Sequence, residues 1–185
     1  MTIGPIGTRR VMPGFNIKVT PLGAILRGLV AGAVGTAAMD VVWYMRYRRG
    51  GGKEKFLDWE LSTDLTGWEK APAPALIGKK IVEAFTGQQL PPERAAFMNN
   101  FMHWAYGIGW GTAYGVLAGS LPRPFVALGL PFGATVWATG YVVLPKAGVY
   151  KPIWEYDPKT LWKDLSAHLA YGTGTAATFA LLTRD

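Results

Sequence analysis

Residues 103–109 read HWAYGIG and residues 168–174 read HLAYGTG, so the pattern H-x-A-Y-G-x-G is written twice in this chain. Each copy lies in an apolar run long enough to cross a bilayer, which takes about 20 residues of helix. An ionisable side chain inside such a run is costly and usually faces the interior of a helix bundle. The runs therefore predict a membrane fold, with His103 and His168 as the first candidates for a functional site.

The composition also favours a membrane protein. Of 185 residues, 17% are charged and 24 are glycine, and Trp, Tyr and Phe occur eight times each. A soluble domain usually carries about 25% charged residues and about 7% glycine. In helical membrane proteins small residues allow close helix contact, and amphipathic rings lie at the interfaces. The chain has no cysteine, which excludes disulfides, thiolate metal sites and cysteine nucleophiles.

The net charge of +7 would also suit a nucleic-acid-binding protein. However, the lysines and arginines are concentrated between the apolar runs, as expected of residues that determine membrane topology. We therefore expect a lipid bilayer as the partner, and no nucleic acid.

Four apolar runs predict an all-α membrane fold, organised as one domain. The polar loop between the first two runs contains Ile77, Ile81 and Phe85, whose spacing of four predicts a short amphipathic helix. That helix either lies on the membrane surface or caps the bundle. The predicted segments are an N-terminal tail at 1–21, transmembrane helices at 22–47, 92–120, 125–144 and 158–182, and the polar loop at 48–91.

Glycines at helical spacing predict faces on which the four spans pack closely. Residues 28–33 also resemble residues 129–134, so the first two spans and the last two look like copies of one hairpin. Two tandem hairpins would be related by a pseudo-twofold axis along the membrane normal. Chance similarity between Gly- and Ala-rich spans is the alternative. The packing glycines are Gly28, Gly32, Gly107, Gly111, Gly115, Gly129, Gly133 and Gly172.

The predicted hairpins place several polar side chains at one depth, near the long loop. Tyr141 takes the position in the third span that corresponds to Asp40 in the first. An aspartate beside an imidazole lowers the cost of burying both, and histidine titrates near neutral pH. The first functional hypothesis is therefore a pathway for protons, ions or small solutes. The predicted intramembrane cluster consists of Asp40, His103, His168, Tyr141, Tyr106 and Tyr171.

Two alternatives remain open at this stage. In the first, the histidines bridge helices, and the chain is a structural or accessory subunit of a larger membrane complex or a homo-oligomer. In the second, His103 and His168 ligate a haem, for which Gly107 and Gly172 would leave room. No other cofactor or metal is expected. The sequence contains no H-E-x-x-H, G-x-S-x-G or phosphate-loop motif, so no catalytic residues are assigned and an enzyme is not expected.

A family resemblance covers most of the second to fourth spans. It is carried by residues 103–114 and 129–133, by the loop residues Pro145, Gly148, Pro152 and Trp154, and by His168. In these segments the chain resembles the YagU-like bacterial inner-membrane proteins. The resemblance implies a multi-pass protein of the bacterial inner membrane and draws attention to both histidines, but implies no mechanism. The first span matches poorly, and the first loop lacks cysteines.

The orientation in the membrane stays open. Lysine and arginine are more numerous in segments 46–96 and 145–163 than in the remaining loops and termini. The positive-inside rule then predicts that both termini lie outside. The resemblance implies the opposite, with both termini in the cytoplasm.

Overall fold

A computed structural model describes residues 19–62, 64–121 and 126–184, and within these ranges every regular element is a helix. The prediction of an all-α fold is thereby confirmed. Most of the predicted N-terminal tail lies outside the described residues. The α-helices are α1 (Pro21–Arg49), α2 (Phe56–Glu60), α3 (Ala73–Thr86), α4 (Ala95–Gly119), α5 (Gly129–Lys146) and α6 (Pro158–Leu182). Short 3₁₀ turns occupy Pro92–Arg94, Val126–Leu128 and Ile153–Glu155.

Local sequence signals define the N-terminal ends of α1 and α6. The side chain of Thr20 accepts a hydrogen bond from the Gly23 amide at the start of α1, and Asp157 does the same for the Thr160 amide at the start of α6. Each cap satisfies an amide that has no partner within its helix, and each is followed by a proline at the first helical position. The helix predicted over 158–182 has the same bounds in the structure. The single-turn α2 is not predicted, since five residues are too few to show a period.

The four long helices form a row in the order α4, α1, α6, α5. Helix α1 packs antiparallel to both α4 and α6, and α5 packs against α6. Helices α4 and α5 do not pack closely, and the ring of Phe132 lies between them, with its centroid 4.8 Å from that of Tyr114.

This arrangement differs from the expected pseudo-twofold axis. Such an axis would exchange α1 with α5 and α4 with α6, so the α1–α6 contact would require an equally close α4–α5 contact. The difference follows from side-chain size. Helix α1 contacts α4 through Gly28 and Gly32, and it contacts α6 through Gly35. Helix α5 offers glycines to α6 but places the bulky Phe132 towards α4.

The predicted glycines lie where helix backbones meet. A Cβ added to Gly32 would lie 2.8 Å from the Gly107 carbonyl oxygen, and one added to Gly129 would lie 2.5 Å from the Gly172 carbonyl oxygen. Since Gly107 and Gly172 are equivalent in the repeated motif, Gly129 is the counterpart of Gly32 rather than of Gly28. The expected correspondence is therefore shifted by one helical turn. Trp137, and not Tyr141, stands in the position of Asp40.

Two helical segments, Pro21–Arg49 and Val126–Lys146, are long and apolar enough to cross a membrane. Helices α4 and α6 are of similar length, but their glycines, tyrosines, threonines and single histidines lower their hydropathy. The amphipathic helix α3 packs across α4, with Gly78 against the side chain of Met98. Of the two placements predicted for it, the structure shows the contact with the bundle, while Phe85 at its end is 88% exposed.

Candidate functional site

The centre of the candidate site is a pair formed by Asp40 on α1 and His103 on α4. Asp40 is 4% exposed, and its Oδ1 lies 2.8 Å from Nε2 of His103. The close approach at Gly32 and Gly107 brings the two backbones near enough for a short aspartate side chain to reach the imidazole. Thus the structure brings together two of the predicted site residues. Oδ2 of Asp40 is buried and has no hydrogen-bond partner among the described residues.

Helix α2 adds an acidic group above this pair that the sequence did not reveal. The indole Nε1 of Trp104 donates a hydrogen bond of 2.9 Å to Oε1 of Glu60. Burial, together with the negative charge of Asp40, raises the pKa of Glu60 above its ordinary value. Glu60 is one of several charges in a polar loop, and no spacing in the sequence relates it to the histidine 43 positions later.

The second histidine forms a separate pair on its own helix. Nδ1 of His168 lies 3.0 Å from the backbone oxygen of Asp164 and 3.3 Å from its carboxylate Oδ1. The hydroxyl of Tyr141 lies against the same carboxylate. Among the described residues, the two histidines of the predicted cluster thus bond to different carboxylates, His103 to Asp40 and His168 to Asp164. His168 turns to the carboxylate one turn earlier on α6, because residues four apart are neighbours on a helix surface.

The two tyrosines of the repeated motif play different roles. Tyr171 is 2% exposed, and its hydroxyl donates a 2.7 Å hydrogen bond to the Gly107 carbonyl, which links α6 to α4. Tyr106 is exposed, and its ring makes an edge contact with Trp110 at 6.1 Å between centroids. At identical motif positions, Tyr171 thus links two helices, whereas Tyr106 lies in the wall of a cavity.

Two cavities meet at His103. The first, which we call the aromatic cavity, has a volume of about 430 Å³ and lies between α4 and α5, with both histidines, Tyr141 and Asp164 in its wall. The second, the acidic cavity, has a volume of about 500 Å³. Its wall includes four carboxylates, those of Asp40, Glu54, Glu60 and Asp64. His103 belongs to both walls and so separates a polar space under the long loop from an apolar one inside the bundle.

The capacity of the site to hold a metal or a haem depends on its ligand groups and on the ring nitrogens that the histidines leave free. Within the described ranges no group of three or more His, Asp or Glu side chains could hold a metal ion. His168 bonds through Nδ1 and leaves Nε2 for a ligand, which is the usual arrangement of a ligating histidine. His103 has its Nε2 on Asp40. Ligation of one haem through both Nε2 atoms is therefore incompatible with the observed Asp40–His103 bond.

The geometry can support proton exchange more readily than covalent chemistry. A histidine can take up a proton on one ring nitrogen and release it from the other, and its pKa is ordinarily near neutral. The described residues place such a ring between a carboxylate with a free oxygen and an apolar cavity. The chain matches no protein-family model, and comparisons with curated proteins and with solved structures give no significant match.

Proposed function

We propose that the chain is a multi-pass protein of the bacterial inner membrane that crosses the bilayer four times and provides a pathway for protons through the Asp40–His103 pair. The observation that carries the proposal is the position of His103. Its ring lies in the walls of both cavities and is bonded to a buried carboxylate. An ionisable pair at such a boundary is typical of proton relays in membrane proteins.

The distribution of side chains supports the four-pass membrane assignment. The residues buried between helices are mostly small, as with Ala31 and Gly32 on α1 and Gly111 on α4. Large apolar side chains point outwards instead, and Leu26 on α1 and Leu117 on α4 are both exposed. A protein in water buries its large apolar residues, whereas lipid-facing helices expose them and pack through small ones. Helices α4 and α6 share this pattern with α1 and α5.

The order of polar groups supports a proton rather than a larger ion. From the acidic cavity, Glu60 stands above Asp40 and His103, and beyond them lies the aromatic cavity with His168 and Asp164. A proton needs a chain of groups that can gain and lose it, which carboxylates and imidazoles supply. A pathway for another ion or for a small solute is the other possibility that the sequence suggests.

The test is proton flux into liposomes that contain the purified full-length protein and a pH-sensitive dye. An imposed pH gradient should dissipate in a protein-dependent manner. Asp40→Asn keeps the shape of the side chain but loses its charge, so we expect flux to fall by about tenfold or more, as for other positioned acid–base groups. Glu155→Gln removes an exposed carboxylate outside the bundle and serves as the control. Equal flux through the Asp40→Asn variant and the wild type would refute the proposal.

A structural or accessory role is the second candidate, favoured by the polar bonds that cross between helices. The guanidinium of Arg46 donates to Oγ of Ser166 at 2.8 Å, and Tyr171 bonds to Gly107. Such bonds fix helix register without requiring transport. Stoichiometric partners that co-purify from native membranes, together with absent flux, would favour this role.

A further inference from the structure

The aromatic cavity has a chemical character that the proton pathway does not explain. Rings from every long helix contribute to its wall, among them Trp43, Trp110, Trp137 and Tyr141. A relay needs titratable groups and water, and gains nothing from several indole and phenol faces. A volume of about 430 Å³ instead falls within the range of small-molecule sites, about 300–1,000 Å³.

The groups that line the cavity favour a positively charged ligand over a negatively charged one. Of the residues that the structure describes, no lysine or arginine lines the cavity, and Asp164, whose Oδ1 lies 3.3 Å from Nδ1 of His168, supplies its one carboxylate. The faces of aromatic rings carry partial negative charge and attract cations. An anion would meet a carboxylate and these ring faces without a counter-charge. A cation would meet complementary groups on several sides.

A cationic side chain of the protein already lies over one ring of the wall, that of Trp43. The guanidinium carbon of Arg46 lies 5.0 Å from the centroid of the Trp43 ring, within the range of cation–π attraction. Arg46 is itself held at the end of α1 by bonds to the Lys163 carbonyl and to Ser166. Three other rings of the wall, those of Trp110, Trp137 and Tyr141, have no cation over their faces among the described residues.

The shape of the bundle offers such a ligand a route from the lipid. The cavity lies where α4 and α5 do not pack closely, and Phe132 fills the space between them on the side away from the long loop. A gap between two lipid-facing helices admits molecules that dissolve in the bilayer. Such a molecule must carry apolar groups as well as its charge.

We infer that the aromatic cavity binds lipophilic organic cations, with Asp164 supplying the counter-charge and the tryptophans and Tyr141 the ring faces. This inference names a ligand class for the bundle in which we propose the proton pathway. It rests on that proposal for the membrane setting, although not for the presence of proton flux.

The test uses tetraphenylphosphonium, a lipophilic cation, and tetraphenylborate, an anion of nearly the same size and shape. Binding to the purified full-length protein in detergent is followed by quenching of tryptophan fluorescence at about pH 8, where an ordinary histidine is neutral. We expect saturable binding of the cation and no competition by the anion. Asp164→Asn, which keeps the hydrogen-bonding shape, should weaken cation binding by about tenfold.

The controls separate this inference from the proton pathway. Glu155→Gln removes an exposed carboxylate and should leave cation binding unchanged. Trp137→Leu should weaken binding without removing any charge. Equal affinity for the anion, or unchanged cation binding by the Asp164→Asn variant, would overturn the inference. The proton flux that depends on Asp40 is measured without any organic cation. Such a result would therefore leave the proposed proton pathway standing.

Discussion

The contact between α1 and α4 sets the geometry of the Asp40–His103 pair, and Gly111→Ala tests it directly. A Cβ on Gly111 would lie 2.2 Å from Gly32 Cα, whereas ordinary contact begins at 3.4 Å. The two helices must therefore separate by about 1 Å. Overpacking of this kind costs about 1–3 kcal/mol, and the higher helix propensity of alanine returns at most about 1 kcal/mol. We expect a net loss of about 1–2 kcal/mol in the free energy of unfolding.

The matched control is Gly109→Ala on the same helix. A Cβ on Gly109 meets nothing within 4 Å, so this variant should be neutral or slightly more stable than the wild type. Thermal unfolding of the purified protein, followed by tryptophan fluorescence, measures both. For a chain of this size 1 kcal/mol corresponds to about 2–4 °C, so Gly111→Ala should lower Tm by about 2–8 °C.

A functional readout follows from the same displacement. The Asp40–His103 bond of 2.8 Å lies two turns from Gly111 on the same helix interface, and a separation of about 1 Å would break it. Proton flux should therefore fall in Gly111→Ala and persist in Gly109→Ala. If the two variants unfold at the same temperature, or if Gly111→Ala is the more stable, the close α1–α4 contact described above is wrong.

Three further predictions concern individual polar groups. Tyr171→Phe removes the bond to Gly107 and should cost about 1 kcal/mol, measured by thermal unfolding; an unchanged Tm would contradict the described contact. The pKa of Glu60 is higher in the folded protein than in the unfolded chain. As the pH rises from the unfolded pKa to the folded pKa, the contribution of Glu60 to the free energy of unfolding therefore falls. Glu60→Gln should therefore unfold at a higher temperature than the wild type at neutral pH, with a difference that vanishes in acid; a difference independent of pH would contradict this. Because Nε2 of His103 is bonded to Asp40, protein purified from haem-supplied cells should lack a Soret band, and a stoichiometric band would require that bond to open.

Much of the helical framework could be predicted from the sequence, because helix signals are local. Apolar runs, the caps at Thr20 and Asp157, and the glycine spacing each act over a few residues. Because these signals are local, they did not predict which side chains meet in the site. The pairing of His168 with Asp164 follows from a spacing of four that the sequence displays, but the repeated motif directed attention to Asp40 instead. Glu60 could not be found, since its link to Trp104 arises only where α2 folds back over α4.

Apolar periodicity along the chain was enough to predict a helical fold, the approximate course of the long helices and equivalent positions for two histidines. Which helices touch depends instead on how their side chains pack. Phe132 keeps α4 and α5 from packing closely, while glycines on both faces of α1 draw it to α4 and α6. Those contacts gave each histidine its own carboxylate and left an aromatic cavity between the pairs. The physical reason is that periodicity reports the face a residue occupies, whereas the neighbour of that face depends on how side chains from distant segments fit together.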